Sequence, residues 1–318
     1  MTKRRRLLLP LAFIPLLAGP ACTIRHTPIH PPAGGEPSAE VMAEFWREPD
    51  DLATRDLFWG AGGEEHVPKA DGRFTFVSRK STGFSPGFEV TDENGIKWSA
   101  KLGDEAQSEV TASRLMWAMG YHQPPAYYVP QWTVSGDTGW AGPQGPARFR
   151  PHLKELDDKG PWSWHECPFT GSQPWRGALV MMALFNNSDL KPDQNAIYEL
   201  PEPREGARRW YVVKDLGQSM GASGRMYPKR NDIEQFEKEP FVVRNENGTL
   251  RFGYKGRWQE LIKSLKPADV RWTCERLNRL SAHQWEEAFR AGGYAPELAQ
   301  RFIHRFHEKI EQGLALRD

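Results

Sequence analysis

Polar and apolar residues alternate along Arg73-Phe74-Thr75-Phe76-Val77-Ser78, which is the period of a half-buried β-strand. The stretch Lys80-Ser81-Thr82-Gly83-Phe84-Ser85-Pro86-Gly87 reads as a turn, and Phe88-Glu89-Val90 resumes a strand. Asp92-Glu93-Asn94-Gly95 predicts a hairpin, with Asn-Gly its strongest local signal. A third strand then runs from Ile96 to Lys101, so the three make a small antiparallel meander. At 104–119 the period becomes helical, and Gly120 closes the helix. Tyr127-Tyr128-Val129 and residues 131–134 are strand-like, with 147–150 as their expected partner. A second helix begins at Pro174, with Ala178, Leu179, Met182 and Phe185 on its buried side. Ala196-Ile197-Tyr198 and Trp210-Tyr211-Val212-Val213 predict a hairpin. Residues 221–254 are polar and loop-rich, with a turn at Asn247-Gly248. From Trp258 the pattern is helical to the end. Ser281 and Gln284 are spaced as a capping box, and Leu298, Phe302, Phe306 and Ile310 form a stripe suited to core packing. No internal repeat is visible. The order predicts an α+β chain of two lobes: a small antiparallel β-rich lobe with one helix at 67–134, and a larger, mainly helical lobe at 135–318.

The first residues do not belong to this pattern. Met1-Thr2-Lys3-Arg4-Arg5-Arg6 is basic, residues 7–17 are mostly apolar, and Ala18-Gly19-Pro20-Ala21-Cys22 is rich in small residues. Such a segment predicts a secretory signal over 1–21, too short to span a membrane as a helix. Cys22 directly after Ala21 predicts a lipid-anchored N-terminus, hence a protein of the periplasm or cell surface; ordinary cleavage near Ala21 is the alternative. Residues 22–66 then read as a flexible Pro-, Gly- and Thr-rich tether followed by an N-terminal extension. Removing the four basic residues of the leader from 42 leaves 38, against 41 acidic residues. That mild acidity gives no basic excess of the kind that binds nucleic acid. Cys167 and Cys274 remain, and in an oxidising compartment they either pair or stay buried as thiols. No Cys/His spacing resembles a zinc site.

Five signals stand at the ends of these elements. Lys101 ends a strand, where a cation could meet the phosphates of ATP. Glu109, and one turn before it Glu105, lie on the next helix, where a carboxylate would hold that lysine in one rotamer. The turn holding Gly83, Ser85 and Gly87 could bring backbone amides to phosphate. Asn187-Ser188-Asp189-Leu190-Lys191-Pro192-Asp193-Gln194-Asn195 combines an aspartate able to orient or deprotonate a hydroxyl with a lysine able to steady the moving phosphate. The same stretch ends in an asparagine whose carbonyl oxygen could bind Mg²⁺. Asp215-Leu216-Gly217 follows a strand and places a carboxylate as a second metal ligand. Each signal has a plain structural counterpart: a strand-end lysine, solvent-facing glutamates, a polar helix-ending turn.

Taken together and in this order, these residues resemble the protein-kinase-like superfamily, in its atypical bacterial HipA-type and CotH-type branches. The likeness covers roughly residues 73–217, and includes a helix that ends in Gly120-Tyr121 and enters a strand marked by Pro124-Pro125. It implies Lys101 and Glu109 as the nucleotide-holding pair, Asp189 as the catalytic aspartate, and Asn195 and Asp215 as ligands of Mg²⁺ or Mn²⁺. Two departures are visible. The interval from Asp189 to Asn195 is six residues where the family usually has five, leaving Asp193 as a competitor, and Asn187-Ser188 stand where a histidine or arginine is usual. Three functions follow as expectations. One is an exported kinase-like protein transferring phosphate from Mg-ATP to a hydroxyl of a protein or small molecule. A second is a catalytically inactive kinase-like lipoprotein acting as a binding module in the cell envelope. A third is a structural or carbohydrate-binding protein of the cell envelope, for which thirteen tryptophans would suit sugar stacking.

Overall fold

The meander forms from β1 (Arg73–Lys80), β2 (Gly87–Thr91) and β3 (Lys97–Leu102), paired antiparallel in chain order. The computed structural model describes residues 28–33, 35–69, 72–80, 85–136, 138–204, 206–224 and 228–318. The leader 1–21, Cys22 and Gly83 therefore lie outside the described residues. Asp92 fixes the β2–β3 turn. Its Oδ1 accepts the amides of Asn94 and Ile96 at 2.9 Å each, its Oδ2 accepts the Trp98 indole N–H at 3.0 Å, and Gly95 takes φ +80°.

The meander sits inside a seven-stranded sheet. Its other strands are β4 (Tyr127–Val129), β5 (Trp132–Ser135), β6 (Gly142–Gln144) and β7 (Ala147–Pro151), in the order β4-β7-β3-β2-β1-β5-β6. β7 pairs with β4, as its sequence suggests, but its second partner is β3. β5 instead runs parallel to β1 and antiparallel to β6, a strand that Gly142-Pro143-Gln144 does not announce by alternation. Two strands of the sheet thus lie beyond residue 134. Phe74, Phe88, Trp98, Trp132 and Phe149 fill its buried face.

After a short α1 (Ala39–Ala43), the helix predicted after β3 is α2 (Glu105–Ala118). Gly120 ends it at φ +93°, where a Cβ would stand 2.0 Å from the Arg47 carbonyl oxygen, so only glycine fits. The N-terminal extension makes that close approach. The Trp46 indole donates to Met119 O at 2.7 Å, Arg114 Nε donates to Phe58 O at 3.2 Å, and Phe45, Leu52 and Leu57 are buried.

The remaining chain is mainly helical. α3 (Gln173–Leu184) is capped by Ser172 and is buried on nearly every side, not on one stripe, because it runs through the centre of the larger core. β8 (Asp157–Asp158), β9 (Asn195–Arg204) and β10 (Ala207–Val213) form a three-stranded sheet, with Trp210 opposite Tyr198 and Val212 opposite Ala196, as expected of the hairpin. The stretch 221–254 holds more structure than its polarity suggests: α4 (Ile233–Lys238) and a hairpin of β11 (Val242–Glu246) and β12 (Thr249–Phe252), turned at Asn247-Gly248. α5 (Gln259–Lys263), α6 (Pro267–Leu277), α7 (Ala282–Ala291) and α8 (Pro296–Leu314) complete the chain. The Ser281–Gln284 capping box opens α7, and Phe302, Phe306 and Ile310 of α8 are buried. The protein is an α+β fold, with a small antiparallel-rich sheet carrying one helix and a larger helical part.

Among the described residues both Cys167 and Cys274 are free thiols, and no helix is long and apolar enough to cross a membrane. Of the thirteen tryptophans Trp140 is exposed, six are partly buried and six are buried.

Candidate active site

A cleft of about 760 Å³ opens between the seven-stranded sheet and the helical part. β3 brings Lys101 to its floor, directly opposite Gly87 in the β2–β3 register. Lys101 Nζ meets three carboxylates: Glu105 Oε2 at 2.8 Å, Glu109 Oε2 at 3.0 Å and Asp215 Oδ1 at 2.7 Å. Both glutamates reach it because they are one helical turn apart on α2. The pairing expected of Lys101 with Glu109 is therefore present, and Glu105 joins it.

Asp215 lies just beyond the end of β10. Its Oδ1 also accepts the Gly217 amide at 3.4 Å. The first turns of α2 rest on this segment: Ser108 Oγ donates to Gly217 O at 2.8 Å, and a Cβ on Gly217 would come within 2.8 Å of the Glu105 Cβ. Glycine is required here by contact, since no side chain fits between the helix and the chain.

The loop after α3 forms the opposite wall. Asn186 is left-handed at φ +56°, and its side chain bridges inward, donating to Gly221 O at 2.7 Å and accepting from the buried Lys309 Nζ at 2.9 Å. Asn187 Oδ1 accepts the Asp189 amide at 2.9 Å and so aims the next turn. Asp189 ion-pairs with Lys191 at 3.2 Å, and both line the cleft. Asp193 lines it too, but its side chain is 71% exposed against 20% for Asp189. Gln194 O accepts the amides of both Lys214 and Asp215 at 3.0 Å, which ties this loop to the Asp215 segment through backbone alone.

The structure brings Lys101, Asp189, Lys191, Asp215, Ser85 and Gly87 around one cleft. Glu109 stands just behind Lys101. Asn195 is placed differently. It is buried at the start of β9, its Nδ2 donates to Trp162 O at 3.0 Å, and it is not among the cleft-lining residues, whereas Gln194 is. The Asn195 Oδ1 is buried without a hydrogen-bond partner, and Gln194 closes the short 3-10 turn Pro192–Gln194 just before it.

Sequence reasoning missed the arginines. Arg148 and Arg150 of β7 both reach Glu109 Oε1, at 2.7 and 2.9 Å. The Arg148 Nε–H is not aligned with that oxygen, so its contact is ionic rather than a directed hydrogen bond. Arg230 ion-pairs with Glu105. The available signal was the i, i+2 spacing of two arginines in a strand, which puts them on one face.

These contacts set the charge states. Burial works against the Glu109 carboxylate, but Arg148 and Lys101 outweigh it and hold its pKa below the ordinary value. Burial likewise opposes ionisation of Asp215, yet the charge and hydrogen bond of Lys101, with Arg148 and Arg150, bring it down to about 2. Burial also opposes the Lys101 charge, and its three acids still raise its pKa. Asp189 goes the other way: burial raises it, and Lys191 only partly compensates. The cleft therefore offers one firmly ionised carboxylate and one of raised basicity. Eight Lys and Arg against five Asp and Glu line it, a balance that attracts a polyanion.

Among the described residues no group of three or more His, Cys, Asp or Glu is arranged to hold a metal by itself. A Mg²⁺ at Asp215 would need oxygens from a bound phosphate as well, which is how Mg²⁺ usually meets protein.

No family model matches the sequence, and no curated protein matches it. Among solved structures the chain is similar to the Helicobacter pylori proinflammatory kinase CtkA, with 12% identity and a TM-score of 0.45 over 79% of this chain and 100% of that one. It is also similar to the Golgi casein kinase with Mn/ADP bound, with 9% identity and a TM-score of 0.39 over 83% of this chain and 74% of that one. Both scores fall below 0.5, so the chemistry rests on this chain's own residues.

Proposed function

We propose that the chain is a kinase-like phosphotransferase that moves a phosphoryl group from Mg-ATP to a hydroxyl of a protein or small molecule. The observation that carries this reading is the convergence of Lys101, backed by Glu109, with Asp215, Asp189 and Lys191 on one cation-rich cleft. Lys101 binds phosphate oxygens and Glu109 keeps its rotamer. Ser85 and Gly87, beside the floor, bring the start of β2 to the same phosphates. Asp215, ionised across the physiological range, would hold Mg²⁺ or Mn²⁺, with Asn195, whose buried Oδ1 has no hydrogen-bond partner, beside the same loop. The bound ion would neutralise charge between the phosphates of the donor. Asp189 accepts the proton of the attacking hydroxyl, a task its raised basicity suits, and Lys191 steadies the transferred group.

Calorimetry with ATP, ADP and GTP, each with and without Mg²⁺ or Mn²⁺, tests this. Heat is expected for ATP with metal, and Asp215→Ala is expected to remove the metal-dependent part. Silence for every nucleotide would sink the reading.

A second reading is an inactive binding module built on the same fold. The direct Lys101–Asp215 ion pair favours it, because the two groups then satisfy each other. Nucleotide binding without turnover, on any offered protein or small-molecule hydroxyl, would mark that outcome.

The leader 1–21 and Cys22 support export to the periplasm or cell surface with a lipid anchor on Cys22. Mass spectrometry of the native N-terminus is expected to find a lipidated Cys22. An intact Met1 would refute export, and a cleaved but unmodified N-terminus would refute the anchor.

A further inference from the structure

We infer that Arg148 and Arg150 are positioning residues that hold Glu109, and with it helix α2, at the cleft independently of Lys101. The functional consequence rests on the phosphoryl-transfer reading above; the structural claim does not. Glu109 divides its two oxygens. Oε1 takes both arginines, at 2.7 and 2.9 Å, while Oε2 takes Lys101 at 3.0 Å. The carboxylate is 1% exposed, so water cannot replace a lost partner. With Lys101 as its only cation, Glu109 would be left as a buried unpaired charge whenever the lysine turned to a phosphate, a strongly unfavourable state. Two further cations remove that conflict.

Each arginine also grips the backbone beside one of the groups it serves. Arg148 Nη1 donates to Ser99 O at 3.0 Å, two residues before Lys101. Arg150 Nη2 donates to Lys214 O at 2.9 Å, one residue before Asp215. A single face of β7 thus joins the strand carrying Lys101, the helix carrying Glu109 and the segment carrying Asp215. Glu105 has a comparable arrangement, since Arg230 remains with it when Lys101 leaves. Lys101 can then exchange the Asp215 carboxylate for phosphate, freeing Asp215 toward a metal, while α2 stays in place. The helix is held by the sheet, and the lysine is left mobile for chemistry.

Amide hydrogen exchange across 105–118 in the nucleotide-free, full-length protein is the first test. Lys101→Met is expected to leave exchange of α2 within about twofold of the parent, whereas Arg150→Met and the Arg148→Met/Arg150→Met pair raise it by about tenfold or more. Equal loosening by Lys101→Met and by the arginine variants would overturn the inference. If the double variant loses its cooperative melt, the single Arg150→Met and its conservative counterpart Arg150→Lys decide the matter. Arg150→Lys is expected to restore most of the protection and Arg150→Met none of it; equal protection in the two would also overturn it. In kinetics, Arg150→Met is expected to lower kcat more than it raises KM for ATP, with rescue by Arg150→Lys. Absence of turnover in the parent would count against the proposed function, while the exchange comparison would still decide the role of the arginines.

Discussion

Asp189→Asn is expected to lower phosphoryl transfer by about 10²–10⁴-fold, the usual contribution of a positioned acid–base group, with nucleotide affinity nearly unchanged. The change is nearly isosteric, so it keeps the loop that Asn187 and Asn186 build and removes only the proton acceptor. Asp189 suits that role by environment. Burial raises its pKa above the ordinary 3.8, and Lys191 at 3.2 Å offsets this only in part. The parent's rate should therefore fall on the acid side at a pH above that of a free aspartate. Asp193→Ala is the control. Its carboxylate is 71% exposed and 4.0 Å from Lys191, and its loss is expected to change turnover by no more than about twofold, as for a weak surface pair. Steady-state rates on both variants, alongside calorimetry, separate the two. Loss of transfer in Asp193→Ala but not in Asp189→Asn would mean that the other aspartate meets the acceptor.

Local signals made much of this legible in the sequence. Asn94-Gly95 marked the β2–β3 hairpin, the change of period after Lys101 marked α2, and the runs 196–198 and 210–213 paired as the expected hairpin. Lys101 and Glu109 could be joined on paper because a strand end and the next helix are close by connectivity. The long-range partners were not legible. β7 chooses β3 and β4 over β5, a matter of which edges are free once the sheet is assembled, and no pattern within 147–150 encodes it. Arg148 and Arg150 look like surface residues until that pairing brings them beside α2. The turn Pro192–Gln194 buries Asn195 beside Trp162 while Gln194 lines the opening, which the spacing from Asp189 does not announce. Polarity hid α4 and the β11–β12 hairpin for a different reason: they pack through few large residues, chiefly Phe236, Phe241, Leu250 and Phe252, set among charged ones.

Glu109→Gln is expected to give the largest loss of stability of any single change at the site, about 3–5 kcal/mol, because it leaves buried cations without their acid. Arg148 is 6% exposed and Arg150 15%, so neither can recover its hydration without moving the strand. The glutamine keeps the volume, which confines the effect to charge. Urea titration at neutral pH measures it. The pH dependence supplies an independent check. Glu109 sits below its ordinary 4.5 in the folded state, and Asp215 sits at about 2 against 3.8. In the window from about 4.5 down to about 2 the unfolded chain binds more protons than the folded one, so stability rises with pH there and is lost as pH falls. Asp189, whose folded value is raised, works in the opposite direction just above 3.8 and reduces the slope slightly. Glu109→Gln should therefore show a lower stability at neutral pH and a shallower decline on acidification than the parent. Replacing Glu109, Arg148 and Arg150 together by methionine should recover much of the loss, since an apolar trio has no charge to desolvate. A triple variant no more stable than Glu109→Gln would show that the cost lies in packing around α2, and not in stranded charge.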